Sequence, residues 1–146
     1  MSSYAEFAIN LDKAFADSMD HVIAVQKKVA LEALRRVIMK SPVGNPDLWK
    51  SKPPPGYAGG RFRANWMVAI GVKPDGTVTT IDPSGNETLA EGARPISALN
   101  DFDIVWLVNN LPYAEEIERG HSTQAPAGVV AVTVAELDAF FNQVTQ

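Results

Sequence analysis

The run from Val105 to Val129 constrains the fold of this chain more than any other stretch. The β-branched and apolar residues from Asp103 to Asn110 are typical of a central strand buried on both faces. A short helix is predicted next, with Pro112 at its first position and Gly120 as the left-handed residue that ends it. Because a strand and a capped helix follow each other directly, the run predicts a fold that mixes both kinds of structure.

A long amphipathic helix is predicted from Leu11 to Lys40. Apolar residues recur there at spacings of three and four, and neither Gly nor Pro interrupts them. Asn10 or Asp12 can cap its start, and Ser41-Pro42 ends it, because the residue before a proline disfavours helical backbone angles. A second apolar row widens the hydrophobic face. The helix is therefore expected to pack on a sheet and to leave apolar surface for a partner.

Residues 41–60 form a connection that is rich in breakers of regular structure, with five Pro and four Gly among twenty residues. A loop of this length in a compact domain is usually functional or disordered, and Trp49 and Tyr57 argue against plain disorder. Our hypothesis is that both aromatics anchor this arm on a neighbouring subunit, since Trp and Tyr are enriched at interface hot spots. The alternative is that they fold back over the sheet of their own subunit.

Two strands joined by a tight turn are predicted after the arm. Apolar and polar residues alternate from Arg61 to Gly71, which indicates a first strand. Pro74-Asp75-Gly76 supplies turn residues, and Val78 and Ile81 mark a second short strand. The pattern therefore predicts a β-hairpin.

Two further helices are predicted in the second half of the chain. Residues 87–99 have helical character, with a break or kink expected near Gly92 and Pro95. The C-terminal segment places apolar residues at helical spacing from Val130 to Val144, with Pro126 suited to the first turn. A strand over residues 129–134 is the alternative, because valines dominate there.

These elements predict one α+β domain over residues 1–146, in which a long N-terminal helix and a C-terminal helix pack on a small, mainly antiparallel sheet. Residues 11–40 are the long helix, 41–60 the arm, and 61–146 the sheet with the remaining helices. The length and a 46% apolar share suffice for one hydrophobic core. The chain has no Cys and only two His, which excludes disulfides and argues against a zinc site. With no signal-peptide pattern and no apolar run of membrane-spanning length, a soluble protein made in a cytoplasm is expected.

Charge is distributed unevenly along the chain, whose net charge is −4. Residues 13–73 hold 11 of the 13 basic residues and 4 acidic ones, whereas residues 75–146 hold 11 acidic and 2 basic ones. This asymmetry suits nucleic-acid contact or the meeting of oppositely charged halves of neighbouring subunits, and two solvated faces also explain it. One basic cluster on the long helix either complements the helix dipole or binds DNA: Lys27, Lys28, Arg35, Arg36 and Lys40.

His121 and Ser122 raise the hypothesis of a small hydrolase, because a nucleophilic serine needs a neighbouring base. Adjacent loop residues seldom reach that geometry, and the chain has no Gly-x-Ser-x-Gly turn. A structural role for His121 is favoured, since an imidazole after the Gly that ends a helix can bond the exposed carbonyl groups. The acidic residues near it are explained by a solvated helix face, and Asn109-Asn110 by side-chain turns at a strand end. No catalytic, metal-binding or cofactor-binding residue is therefore assigned.

Four sequence blocks, taken in order, resemble the neck and tail-component proteins of tailed bacteriophages. They are a Pro-Val in Ser41-Pro-Val-Gly, a Gly-Arg-x-x-x-x-Trp ending at Trp66, an Asn-x-x-Pro-Tyr-Ala around Pro112, and a Glu-x-Gly-His-Ser around Gly120. The resemblance extends from about Leu11 to Phe141. One departure is the Pro-rich insertion between Val43 and Gly60, where many relatives pass almost directly from the first block to the second, so the resemblance does not indicate where the arm docks.

The resemblance implies a structural, non-enzymatic virion protein at the head-to-tail interface of a long-tailed phage, assembled in the host cytoplasm. Similar tail-completion or tail-terminator proteins form rings, commonly of six subunits, around the channel through which DNA leaves the head. The expected partners are other copies of this chain, connector proteins above, tail-tube proteins below and DNA as passing cargo, with no cofactor and no membrane. The residues expected to fix the fold or form subunit contacts are Trp49, Tyr57, Arg61, Trp66, Asn110, Pro112, Tyr113, Glu118, Gly120 and His121.

Overall fold

The computed structural model describes residues 3–44 and 59–144. Its elements are α1 (Ser3–Lys40), α2 (Arg61–Ala64), β1 (Trp66–Ile70), α3 (Asn86–Ser97), β2 (Val105–Asn109), α4 (Ala114–Glu118) and α5 (Val130–Val144). The prediction of an α+β fold with a long N-terminal helix, a C-terminal helix and a small antiparallel sheet is confirmed. The arm residues Trp49 and Tyr57 lie outside the described residues.

The uninterrupted apolar periodicity of the N-terminal third produces α1, which is about 57 Å long at 1.5 Å per residue. Because α1 begins at Ser3, the predicted start at Leu11 was wrong, and Asn10 and Asp12 lie inside the helix instead of capping it. The helix ends as Ser41-Pro42 predicts. The Ser41 hydroxyl donates to the Val37 carbonyl and accepts a hydrogen bond from the Trp66 indole at 2.7 Å, which ties the end of α1 to the start of β1.

The sheet has two antiparallel strands, and β1 pairs with β2 rather than with the residues that follow it. The register places Trp66 opposite Asn109 and Ile70 opposite Val105. The predicted hairpin was therefore wrong, and the first half of its predicted first strand is the short helix α2. The prediction that β2 is central and buried on both faces was also wrong: all five of its residues are partly exposed, because no third strand joins the sheet within the described residues.

Side chains bond the segment that follows β1 in place of a second strand. The Asn65 side chain is fully buried, donates to the Val78 carbonyl at 3.0 Å and accepts from the Val78 N–H at 2.8 Å. Asn110 donates to the carbonyls of Pro74 and Gly76 at 3.2 and 3.1 Å. Since these amides satisfy backbone groups that a strand ladder would otherwise use, the segment stays irregular.

The predicted interruption of α3 is absent, because the helix continues through Gly92 and holds Pro95 near its end. A Cβ on Gly92 would lie 2.5 Å from Leu34 Cδ2 and 2.9 Å from Val68 Cγ2. The glycine therefore allows α3 to pack closely on α1 and β1, and does not mark a kink.

The C-terminal part of the chain agrees with its predicted helices except at their starts. α4 begins at Ala114, so Pro112 is not its first residue, and Pro126 precedes the first turn of α5. Gly120 has the predicted left-handed backbone, with φ +89°. The helix α5 forms as predicted, and the alternative of a strand at its start is wrong.

One hydrophobic core joins α1, α2, the inner face of the sheet and α3, and it extends to the loop before α5. Its fully buried members include Leu34, Ile38, Ile96 and Val129. α5 packs along α1, where Glu136 accepts hydrogen bonds from Arg36. None of the helices in the described ranges is long and apolar enough to cross a membrane.

Candidate functional site

Two of the four resembling blocks, those around Pro112 and Gly120, lie where β2, α4 and the start of α5 come together, and we call residues 109–131 the motif junction. Its central group is the Glu118 carboxylate, which accepts hydrogen bonds from three consecutive backbone N–H groups. One oxygen accepts from Val129 at 2.9 Å and Val130 at 2.8 Å, and the other accepts from Ala131 at 2.8 Å. These donors are first-turn groups of α5 or lie just before it, and such groups have no partner inside their own helix. Glu118 thus caps α5 from a different helix.

The environment of Glu118 favours its charged form. Burial raises the pKa of this carboxyl, but the N–H groups of Ala131, Val130 and Val129 outweigh that effect, and the pKa lies below its ordinary value of 4.5. The positive end of the α5 dipole acts in the same direction. The carboxylate is therefore held as an anion for a structural purpose, without the raised pKa that a general acid needs.

Two glycines let the chain approach Glu118 closely. Gly120 has φ +89° and Gly128 has φ +88°, a region that residues with a side chain rarely adopt. A Cβ on Gly128 would lie 2.5 Å from the Glu118 carbonyl oxygen and 2.8 Å from its Oε1, and one on Gly120 would meet the Pro126 carbonyl oxygen. The spacing of the acid and both glycines is therefore explained by the capping geometry.

The asparagine pair fastens the other side of the motif junction. The Asn109 amide donates to the Phe62 carbonyl at 2.9 Å, and its Oδ1 accepts from the Leu111 N–H at 3.3 Å. The Tyr113 ring lies 6.2 Å from the Phe62 ring, centroid to centroid. β2, α2 and α4 are thus joined through Asn109 and Phe62, and Asn110 holds the loop after β1 as described above.

His121 and Ser122 do not form a nucleophile and base pair in this structure. The Ser122 hydroxyl accepts a hydrogen bond from the Gln124 N–H at 3.2 Å. The His121 side chain is exposed, and within the described part of the chain its imidazole has no hydrogen-bond partner, so the expected bond to the helix carbonyls is not formed. The His121 backbone N–H helps to close α4, by donating to the Glu116 carbonyl at 3.1 Å.

Replacing His121 with glutamine is therefore expected to change the free energy of unfolding by less than about 0.5 kcal/mol, because an exposed side chain without contacts contributes little. Chemical denaturation followed by circular dichroism measures this. The neighbouring Gly120→Ala variant is the positive control: its strained backbone and the contact with Pro126 are expected to cost about 1–2 kcal/mol. Equal losses in both variants would contradict this description of His121.

Three of the five residues of the basic cluster on α1 are ion-paired within the subunit. Glu32 pairs with Arg35 and Arg36, and Glu136 pairs with Arg36 at 2.6 Å and with Lys40 at 2.9 Å. Lys27 donates to the Ser97 carbonyl. Lys28 alone of the five is exposed and has no ion-pair partner among the described residues. A DNA-binding site needs several cations free to contact phosphates, and this arrangement supplies few.

The remaining predicted residues are spread over the fold. Trp66 is buried in the core, whereas Arg61 is exposed and donates to the Val78 carbonyl at 3.1 Å. Pro112 is exposed at the motif junction, and Tyr113 is 36% exposed. Glu118 and Gly120 lie together there, while Trp49 and Tyr57 fall outside the described ranges.

Three structural residues were missed by sequence reasoning. Asn65 and Arg63 lie in the second block. Arg63 donates to the carbonyls of Ser41, Met39 and Pro83 at 2.9, 3.1 and 2.7 Å and so closes the C-terminal end of α1.

Asp82, the third of these residues, caps α3 by accepting from the N–H and the hydroxyl of Thr88, both at 2.8 Å. Burial raises the pKa of Asp82, but the hydrogen bonds from Thr88, Ser84 and Gly85 together outweigh it, and the pKa lies below its ordinary value of 3.8. The Asp-Pro-Ser-Gly sequence before α3 was the available signal for this cap.

Within the described ranges, no group of three or more His, Cys, Asp or Glu side chains is placed to hold a metal ion. The contacts of the motif junction are hydrogen bonds around one anionic cap.

Comparisons with protein-family models, curated proteins and solved structures found no match to this chain.

Proposed function

We propose that this chain is a ring-forming subunit of the neck of a long-tailed bacteriophage, which joins the head connector to the tail tube around the DNA channel. The observation that carries the proposal is the use of the resembling residues in the fold. Trp66, Asn110, Glu118 and Gly120 each tie one element to another, and none is directed at a reactive centre. Motifs of this kind preserve a shape, which is what an assembly subunit requires.

Exposed apolar surface is a second support for an assembly role. Large apolar side chains stand in solvent on several elements: Val72 is 78% exposed, Phe15 68%, and Phe102 and Val134 each 59%. Contiguous apolar surface on a soluble protein commonly marks a contact with another molecule. A subunit that touches two neighbours in a ring and a partner on each side needs several such areas.

The uneven charge contributes less to subunit contact than the sequence suggests. Part of the basic half is bonded to Glu32 and Glu136 inside the subunit. Several exposed charges stay available for a head-to-tail contact between neighbours. They include Lys13 and Lys73 from the basic half of the sequence, and Glu87 and Glu91 from the acidic half. Such charges set the register of an interface more than its affinity.

The proposal is tested in a phage that encodes this chain, by removing the chain and supplying it again from a plasmid. Without it, we expect filled heads and finished tails that do not join, and with it, joined particles whose reconstruction contains a ring of this fold at the neck. Complementation by the His121→Gln variant is expected to be complete, because the proposed role uses no chemistry of that residue. Normal joined particles in the absence of the chain would refute the proposal, and failure of His121→Gln alone would favour the hydrolase hypothesis.

A further inference from the structure

Residues 13–22 of α1 are less buried than residues 23–40 of the same helix. Between residues 13 and 22 no side chain is buried, and Ile23 is the first that enters the core side of the helix. Phe15, Met19 and Val22 follow each other at spacings of four and three, so they lie along one face of this part of the helix. We call these three residues the projecting stripe; Phe15 is 68% exposed and Val22 is 42% exposed.

An open apolar groove continues the same face of α1 towards its C-terminal end. Its volume is about 580 Å³. We call it the α1 groove; α1 forms its floor, and β2, the loop before β2 and α5 form its walls. The residues that matter here are Val25, Val29, Ala33, Phe102, Leu107 and Phe141.

The projecting stripe and the α1 groove lie on one helix face and have the same apolar character, so two copies of the chain can cover each other. We infer that the α1 groove receives the projecting stripe of a second copy, in an antiparallel pair related by a two-fold axis near residue 24 of α1. In this register Phe15 faces the partner's Ala33 and Met19 faces the partner's Val29. A large side chain then opposes a small one, which is how well-packed helix pairs are filled.

Two parallel arrangements that would place Phe15 on the partner's groove are unfavourable. A shift that brings Phe15 opposite the partner's Ala33 places Met19 opposite the partner's Val37, whose side chain is only 4% exposed in the core of its own subunit. A shift that brings Phe15 opposite the partner's Val29 places Val22 opposite the partner's Arg36, which is ion-paired to Glu32 and Glu136 in this chain. In the antiparallel register, Phe15 and Met19 contact groove residues of the partner that are partly exposed.

Three exposed aromatic rings on each copy supply much of the area that a stable pair needs. Phe15, Phe102 and Phe141 are 68%, 59% and 47% exposed. At about 200 Å² for a whole aromatic side chain, these rings leave about 350 Å² of apolar surface on each copy. The two copies thus supply about 700 Å² from three rings alone, more than half of the roughly 1,200 Å² at which specific interfaces begin.

This pair differs from the contact that closes a ring. A ring that meets a connector above and a tube below has unlike faces and no two-fold axis in its plane. The inferred pair is therefore a form of the free protein. The inference does not depend on the proposed phage function, because it concerns only the isolated chain.

Sedimentation equilibrium of the full chain tests the pair first. The wild type is expected to be a dimer at about 100 μM, and Phe15→Glu is expected to raise its dissociation constant by at least about 30-fold, the loss typical of an interface hot spot. Leu31→Glu is the matched control, since Leu31 is 39% exposed on the opposite side of the same helix, and a change below threefold is expected. A monomeric wild type, or an assembly that Phe15→Glu leaves unchanged, would overturn the inference.

Cysteine cross-linking tests the register, and the chain contains no native Cys to interfere. Oxidation of the double variant Met19→Cys/Val29→Cys is expected to give a covalent dimer, whereas each single variant stays monomeric on a denaturing gel. The two cysteines cannot pair within one chain, because ten helical residues separate them by about 15 Å. Asp17→Cys/Leu31→Cys has the same antiparallel spacing on the opposite face and is the control. Cross-linking of the control or of the single variants as efficient as that of the double variant would exclude this register.

Discussion

Replacement of Glu118 by alanine is expected to lower the free energy of unfolding by about 3 kcal/mol. The variant loses three charge-assisted hydrogen bonds to the N–H groups of Val129, Val130 and Ala131, and bonds to a charged group contribute about 1.5–3 kcal/mol in mutational series. These three bonds are the cap of α5, and the loss of an ordinary helix cap costs about 1 kcal/mol. Guanidinium denaturation followed by circular dichroism measures the change.

Glu115→Ala is the matched control for this prediction, because Glu115 lies on the same short helix with its side chain 84% exposed and paired only loosely to Arg119 at 3.5 Å. Its expected effect is within about 0.5 kcal/mol. Glu118→Gln, which keeps an acceptor oxygen without the charge, should lie between alanine and the wild type. If Glu118→Ala and Glu115→Ala had the same stability, the cap would not contribute as described.

The contribution of Glu118 is also expected to depend on pH. Its pKa is lower in the folded chain than its ordinary value of 4.5, so its stabilisation is fully present above that value and is lost as the pH falls through the folded pKa. The stability difference between wild type and Glu118→Ala should therefore be constant near neutral pH and shrink below pH 4.5. Asp82, whose pKa is also lowered, is present in both proteins and cancels in this comparison. A difference that stays constant down to about pH 3 would contradict this linkage.

Replacement of Asn65 by alanine is expected to cost about 2–3 kcal/mol, the second large effect. Its fully buried amide donates to the carbonyls of Arg61 and Val78 and accepts from the Val78 N–H. Alanine leaves a buried cavity and removes two side-chain hydrogen bonds to Val78, so that Arg61 alone of the described side chains still bonds this residue. Thermal and chemical unfolding both measure the loss, and proteolysis at the loop after β1 should become faster.

Asn110→Ala serves as the control for Asn65, because Asn110 bonds the same loop through the Pro74 and Gly76 carbonyls but is only partly buried. Water can replace its two bonds, so the expected cost is about 1 kcal/mol or less. An Asn110→Ala variant as unstable as Asn65→Ala would mean that the loop itself, and not the buried amide, accounts for the stability.

Sequence periodicity predicted the helices well because their hydrogen bonds are local. The apolar spacing of α1 and α5, the proline after α1 and the left-handed Gly120 all depend on residues within a few positions of each other. The resemblance also selected Glu118 and Gly120, although the reason for their spacing, a cap on α5 made by the end of α4, became clear only from the contacts.

Strand pairing was not predictable in the same way, because it depends on residues far apart in the chain. The tight turn after β1 favoured a hairpin, yet β1 pairs with β2, and Asn65 satisfies Val78 in place of a strand partner. The same local pattern suggested a kink at Gly92, whereas the close approach of Leu34 and Val68 explains that glycine. Long-range contacts overrode each of these local preferences.

The sequence by itself determined that this chain has an α+β fold with an amphipathic helix at each end, because helical periodicity and turn residues act locally. Only the tertiary structure decided which strands pair, that Glu118 caps α5, and that Arg36 and Lys40 are ion-paired to Glu136. These outcomes join residues that are distant in sequence, and packing in three dimensions selects among pairings that the sequence pattern allows equally.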